Sequence, residues 1–410
     1  MSDLTERSDL TGGGDLTGRG GRLAFVPARF GPGLVGGAEI VLEQMSRRLL
    51  ARGWEVEVLT TSALDHFTWE SVLPAGKAME EGMLVRRFPA VTTPGPERAA
   101  LEHAILSGAT PRLREQQRWM NGGMRCPELF HYLLDHAREY RAIVFASYLN
   151  WVTFACSQVA PERSVLWTCL HDEPYARLEL FQPLLAGVGG LLFQTPPEHE
   201  LAHRLVETPA PHALVGCGVE VPERYDPDGF RRRHGIEGRF LLYAGRREGG
   251  KGWEELLEQL ARIAVRARLP FSLVTMGAGE VRPPAAIADR VIDVGFLPDA
   301  ERDAAFAAAD AYLQPSRFEA FSRTIMEAWL AGTLVIASGG SEVVRYHCER
   351  SGAGLLYEDE AELEECLTFL AEAPDTARQV AAGGRAYVLD NYQWDTVLDK
   401  VEAALSTWTA

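Results

Sequence analysis

The stretch AYLQPSRFEAFSRTIMEAWLAGTLVIAS, Ala311–Ser338, joins a short apolar run, a polar loop, an amphipathic segment and a second apolar run. Apolar runs on either side of a helical pattern read as strand, helix and parallel strand, the repeating unit of sheets covered on both faces. Ser322 stands where an N-cap residue would, leaving the N–H groups of Arg323, Thr324 and Ile325 without helical partners at the positive end of the helix dipole. That end suits an anion, phosphate above all, although any capped helix offers the same groups. Two glutamates bracket it. Glu319 lies in the loop and Glu327 in the second turn, on the face of Arg323 and Thr324, while Ile325 and Trp329 share a face expected to be buried. A carboxylate accepts paired hydrogen bonds from a vicinal diol, as in a ribose or a hexose. The plainer reading makes Glu327 a solvated helix residue and Glu319 a turn residue.

The alternation extends along the chain. Order is expected to begin at RLAFVPARF, followed by the glycine loop GPGLVGGAE and a helical pattern from Glu39 to Ala51. EVEVLTT, LVRRF, AIVFAS, SVLWTCL and GLLFQT read as strands, PELFHYLLDHAREY and PPEHELAHRLVE as helices, and HALVGCG closes a first unit near Val219. GVEVPERYDPDGF is rich in turn formers and reads as a linker, its Asp226–Asp228 DPD as a turn rather than a metal motif. From Phe240 the pattern restarts with FLLYAGR, a helix from Trp253 to Arg268, FSLVTMG, VIDVGFL and a helix from Asp299 to Ala309. The last segment reads as helices broken near Asn391, long enough to pack back across the first unit.

The expected architecture is therefore α/β, with two Rossmann-like doubly wound domains facing each other across a cleft. Ligands in such sheets bind outside the carboxyl ends of the strands. The expected boundaries are a disordered tail over 1–21, a first domain over 22–219, a second over 220–390 and a returning helix over 391–410. The tail repeats DLT among polar residues and offers little apolar surface to offset chain entropy.

Composition narrows the classes. The 410 residues are 46% hydrophobic and 24% charged, as in a soluble two-domain protein. A formal net charge of −16 argues against nucleic acid as the main partner. The six cysteines contain no CxxC pair, so reduced thiols are expected, with neither a disulfide framework nor a cysteine zinc site. No apolar run reaches the length of a membrane span, and the start lacks signal-peptide character. A cytoplasmic protein is expected.

Two further loops carry chemistry. AGRREGGKGW, Ala244–Trp253, follows a strand and combines Gly249, Gly250 and Gly252 with Arg246 and Lys251 in a chain of only three lysines. Glycines let a backbone approach closely, and cations neutralise phosphate oxygens. The spacing is not that of a nucleoside-triphosphate P-loop, and GPGLVGGAE is only a loose relative of GxGxxG. LHDEPY, Leu170–Tyr175, follows SVLWTCL and places His171 and Asp172 at a strand's carboxyl end, unless Asp172 simply caps the next helix.

Taken together, PSRFEAFSRTIMEAWLAGTLVIAS, AGRREGGKG, the GGAE at Gly36–Glu39 and LHD resemble the GT-B glycosyltransferases of family 4, retaining enzymes that use nucleotide sugars. The resemblance covers nearly the whole chain after Gly21, and its most specific part is the E-x7-E signature formed by Glu319 and Glu327. It implies that Glu327 binds the nucleotide ribose and Glu319 the hydroxyls of the transferred sugar. Arg246 and Lys251 would hold the diphosphate, with Phe321, Ser322, Arg323 and Thr324 around it. Gly36 and Gly37 would let the first domain approach the phosphates, His171 with Asp172 would stand near the reacting carbon, and the base would rest near Gly295, Phe296 and Leu297. The implied co-substrate is a UDP- or GDP-sugar, with no cofactor and no metal. The chain departs from the family where Ser322 and Leu334 replace frequent glycine and proline.

The acceptor is expected on the first domain and on Pro89–Arg125. That segment would touch a lipid carrier or membrane surface, or else be a solvated helical insertion. Glycan, lipid-linked and small-molecule acceptors stay open, as does the oligomeric state. Two other readings remain: a non-hydrolysing nucleotide-sugar 2-epimerase, and a non-catalytic nucleotide-sugar-binding protein.

Overall fold

In the computed structural model residues 21–34, 36–93, 95–267 and 270–408 are described, so the expected tail, apart from Gly21, and Arg268 lie outside the described residues. Most strands form on short apolar runs. Eight make the first sheet, in the spatial order His212–Leu214, Gly190–Phe193, Ser164–Trp167, Ala142–Ala146, Arg22–Pro27, Glu55–Thr61, Met83–Phe88 and Gly76–Glu80. All neighbours pair in parallel except the edge strand Gly76–Glu80, which runs antiparallel to Met83–Phe88. That edge is exposed along most of its length and lacks an apolar face, so no sequence pattern announced it.

The second sheet has six parallel strands in the order Val291–Gly295, Phe271–Met276, Arg239–Ala244, Ala311–Gln314, Leu334–Ser338 and Gly354–Tyr357. Its last strand lies between two helices that the sequence reading left unassigned, Glu342–Ser351 and Glu360–Glu372. Both begin conventionally: Ser341 Oγ accepts from the N–H of Val344, and Asp359 accepts from those of Ala361 and Glu362. In each sheet the strand order reverses beside the first strand of its half, at Arg22–Pro27 and at Arg239–Ala244. Both switch points open toward the space between the sheets, where α/β folds bind ligands.

A continuous apolar cluster joins the two halves through Val219, Phe321, Tyr392 and Trp394. The chain crosses between them twice at one place. Val219 pairs with Gln393 in a parallel bridge, and its N–H donates to Tyr392 O at 2.9 Å. Beyond this crossing, helix Trp394–Trp408 buries Val397, Leu398, Val401 and Leu405. Arg52 of the first half holds its outer face through Asp395 at 2.8 Å and Asp399 and Glu402 at 2.6 Å. Asp399 and Glu402 lie four and seven residues after Asp395, so the three carboxylates line one side of the helix. Asp226, read as a turn residue, instead caps helix Pro227–His234 by accepting from Gly229 N–H. All six cysteines are free thiols.

Candidate active site between the domains

Strands Arg239–Ala244 and Ala311–Gln314 are hydrogen-bonded neighbours, so the loops after them leave the sheet side by side. Gly252, at φ 69°, lets them meet: a Cβ there would lie 2.6 Å from Pro315 O. Lys251 Nζ consequently reaches Glu319 Oε1 at 2.9 Å. The neighbouring arginines divide their work. Arg247 is buried and braces the sheet edge through Gly277 O at 2.9 Å and Gly279 O at 2.8 Å, together with Asp293. Arg246 stays half-exposed, pairs with Glu248 at 3.1 Å and approaches His66 Nε2 of the first domain at 3.4 Å.

Ser322 occupies the N-cap position of helix Arg323–Leu330, but its side chain does not cap. Its backbone is left-handed at φ 64° and ψ 68°, and its hydroxyl accepts from Gln314 Nε2 at 2.7 Å. The hydroxyl thus does not cap the helix, and the left-handed backbone accounts for glycine at this place in the resembling family. Thr324 Oγ1 accepts from Tyr312 OH at 2.7 Å. The Phe321 ring is buried against His347 and Tyr392, which removes it from contact with a ligand. Ile325 and Trp329 are fully buried as expected.

Glu327 lies 3.6 Å from Arg302 Nε and 3.9 Å from Arg323. Nearby, burial pushes the Asp303 carboxyl up to about 6, with Glu327 adding to the shift against the pull of Arg302. Arg323 Nε is buried with no hydrogen-bond partner among the described residues. Gly295, at φ 69°, donates its N–H to Asp293, leaving Phe296 64% exposed and Leu297 packed on the core.

The facing wall belongs to the first domain. His171 Nδ1 lies 3.5 Å from Glu173 Oε1, and Tyr148 OH donates to the same oxygen at 2.7 Å. Burial alone would raise the Glu173 carboxyl, yet His171, Tyr148 and Lys251 together hold it below the ordinary range. Lys251 comes from the other domain, so this effect acts across the cleft. The carboxylate beside His171 is thus Glu173 rather than Asp172. Asp172 pairs with Arg177 and lies 4.0 Å from Arg204, which in turn bonds Glu342 of the second domain at 2.9 Å.

Beneath this wall Glu198 is fully buried and accepts from Thr168 Oγ1 at 2.6 Å, Leu170 N–H at 2.7 Å and Gln194 N–H at 2.6 Å. Burial lifts its carboxyl to about 7 against those donors and His171. Thr195, at the start of the same helix, donates to Ala320 O at 3.1 Å and so ties the wall to the Glu319 loop. Gly36 accommodates the Arg29–Glu39 pair, since a Cβ there would lie 2.3 Å from Glu39 Oε2. Gly37 opens helix Gly37–Ala51 with free space where a side chain would be.

A cavity of about 480 Å³ elsewhere in the first domain, lined by Phe130, Leu134, Trp151 and Phe154 among others, carries no charged group. Chemistry therefore points to the interdomain cluster, where Lys251, Arg246, His171 and three carboxylates converge.

Two doubly wound domains with cationic and carboxylate loops at facing strand ends define the GT-B class. Solved structures share this fold over 94% of the chain: sucrose-phosphate synthase of Thermosynechococcus elongatus, at TM-score 0.71 and 18% identity over 98% of its length, and HepE of Anabaena in complex with UDP-glucose, at 0.66 and 17% over 99%. Residues 238–373 match the glycosyl transferases group 1 family. A D-inositol 3-phosphate glycosyltransferase of Geodermatophilus obscurus is 25% identical across 91% of this chain and 85% of its own. A 2-deoxystreptamine glucosyltransferase of Streptomyces kanamyceticus is 32% identical across 29% of this chain and 36% of its own. The group 1 glycosyltransferase match thus falls on the second half of the chain, and the relatives found over nearly its whole length are named glycosyltransferases.

Proposed function

We propose that the protein moves a hexose-type sugar from a nucleotide diphosphate sugar to an acceptor with retention of configuration, without a metal at the donor site. The observation that carries this reading is the Lys251–Glu319 pair beside the Ser322 helix start, facing His171 and Glu173. The diphosphate is the leaving group. Arg246, Lys251 and the N–H groups after Ser322 meet its growing charge in a site where fixed donors act strongly. Arg323 Nε, buried without a partner among the described residues, is one more donor that an anion would satisfy.

The bond from the anomeric carbon to the leaving phosphate oxygen breaks as the acceptor oxygen bonds to the same face. The acceptor proton passes to that phosphate oxygen. Glu319, oriented by Lys251, grips the sugar hydroxyls; Glu327 takes the ribose hydroxyls; the base lies by Phe296. Gly36 and Gly37 bring the first domain to the phosphates, and His171, positioned by Glu173 and Glu198, contacts the sugar near its reacting carbon.

UDP-sugars are the first donors to test, because HepE was solved with UDP-glucose. A small polyhydroxylated ring is the first acceptor class, because both named relatives carry such a compound in their names. Lipid-linked and glycan acceptors follow. Binding and turnover would be measured with UDP-, GDP- and dTDP-sugars, each with and without acceptors. Failure to bind any donor sinks the reading, interconversion without acceptor indicates an epimerase, and binding without turnover indicates a binding protein. No helix among the described residues is long and apolar enough to cross a membrane, so any lipid-linked acceptor would be met at a surface.

A further inference from the structure

Outside the cleft, three imidazoles converge. His199 and His203 lie four residues apart on helix Pro196–Leu205, hence on one face, and His212 begins the neighbouring edge strand His212–Leu214. His199 Nε2 lies 3.0 Å from His212 Nε2 and 3.0 Å from His203 Nε2, and one ring nitrogen from each histidine falls within 4.8 Å of the others.

Hydrogen bonding does not account well for this meeting. His212 Nδ1 lies 3.2 Å from Ala210 O, and a carbonyl only accepts, so Nδ1 carries the proton and neutral His212 presents a bare Nε2. His199 Nε2 then faces two neighbours with a single in-plane position, which is either one proton or one lone pair. One of its two contacts is left without a good hydrogen bond. A cation accepting all three lone pairs removes the conflict. The carbonyl contact behind His212 is the support that metal-binding imidazoles ordinarily have.

The spacing agrees. Three nitrogens around a tetrahedral zinc ion stand about 3.3 Å apart, close to the two 3.0 Å separations. The ring of Phe193 packs edge-on against His199 and His212, with centroids at 5.3 and 5.8 Å, and forms an apolar floor. His203 and His212 are exposed, which leaves the outer side open to water or another ligand. The run His199-Glu200-Leu201-Ala202-His203 has the H-E-x-x-H spacing by which helices present two zinc ligands. Glu200 is exposed and is not among the three converging groups.

We infer that His199, His203 and His212 form a three-imidazole site for a divalent transition metal ion, zinc foremost, distinct from the donor cleft. The sequence expectation of no metal rested on the absence of cysteine pairs, on the Asp226–Asp228 turn and on the resemblance, whereas this set takes its third ligand from a separate strand. The ion would pin helix Pro196–Leu205 to the sheet edge. The same helix start carries Thr195, which holds the Glu319 loop.

The test uses the full chain without an affinity tag, stripped with a chelator and titrated with Co²⁺ and then Zn²⁺. One ion per chain, a visible spectrum of four-coordinate Co²⁺ and a higher Tm with Zn²⁺ are expected. His203→Gln and His212→Gln, both at exposed positions, should each weaken binding by more than about tenfold. A chain with both changes should give no four-coordinate spectrum while still binding donor. The inference is overturned by absence of saturable binding at micromolar metal, or by unchanged affinity in the doubly substituted chain. Because donor binding is measured separately, failure here leaves the transferase reading standing.

Discussion

Lys251 Nζ and Glu319 Oε1 lie 2.9 Å apart although 68 residues separate them, because their loops leave adjacent parallel strands and Gly252 lets those loops touch. The pair is partly exposed, and such pairs contribute little to folding. Lys251→Ala should therefore change unfolding free energy by less than about 1 kcal/mol. It should lower kcat by about 10²–10³-fold through lost stabilisation of the leaving group. Urea unfolding alongside donor turnover checks both, and equal losses in stability and rate would place Lys251 in the scaffold.

Glu327 lies 3.6 Å from Arg302 and 3.9 Å from Arg323, and on the proposed reading its carboxylate accepts the ribose diol. Glu327→Ala should weaken UDP binding about tenfold or more, the loss of one strong charge-assisted contact. Calorimetric titration with UDP and with uracil alone separates the ribose contribution. Uracil binding should be unaffected.

The left-handed backbone of Ser322 sets opposite expectations for two substitutions. Ser322→Gly relieves the backbone and loses the Gln314 hydrogen bond, so its stability should stay within about 1 kcal/mol of the parent. Ser322→Val forces a β-branched residue into that region and should cost about 1–3 kcal/mol. Thermal unfolding of the two variants ranks them, and a stable valine variant would contradict the geometry.

Glu198 makes stability depend on pH. Its carboxyl is raised from 4.5 to about 7 mainly by burial, so between those values the folded chain holds a proton that the unfolded chain has released. Stability from this group is complete below about 4.5 and falls as pH rises toward 7. Glu198→Gln abolishes that titration, and its amide opposes one of the two backbone N–H donors, so the variant is less stable at pH 5. The gap between parent and variant should narrow from pH 5 to pH 7.5. Buried His347, whose ring is driven down to about 3 by burial, titrates in the opposite sense but is common to both chains and cancels. A constant gap across this range would show that Glu198 is ionised throughout.

Much of this was legible in the chain itself. Most strands of both sheets follow short apolar runs; Glu319, Lys251 and Arg246 fall in loops at strand ends, and Glu327 in the helix that follows, because alternating α/β sequences place them there. What escaped depends on contacts distant in sequence. Asp172 and Glu173 are neighbours with the same chemistry, and only the packing of Tyr148 decides which one faces His171. Glu198 looks like an ordinary first-turn acid until three donors from other elements surround it. The caps Ser341 and Asp359 were visible signals, but the strand between their helices has only four residues, too few for a periodicity to declare itself.

The Val219–Gln393 bridge has a topological meaning. To the rest of the chain, everything between those residues is an inserted loop whose two ends already touch. Helix Trp394–Trp408 can then dock on the first half whatever fills the insertion, so a short connector replacing residues 220–392 would leave that docking intact. Domain exchange between relatives would join the chain at one place rather than two, with the Thr195–Ala320 and Arg204–Glu342 contacts still to be matched.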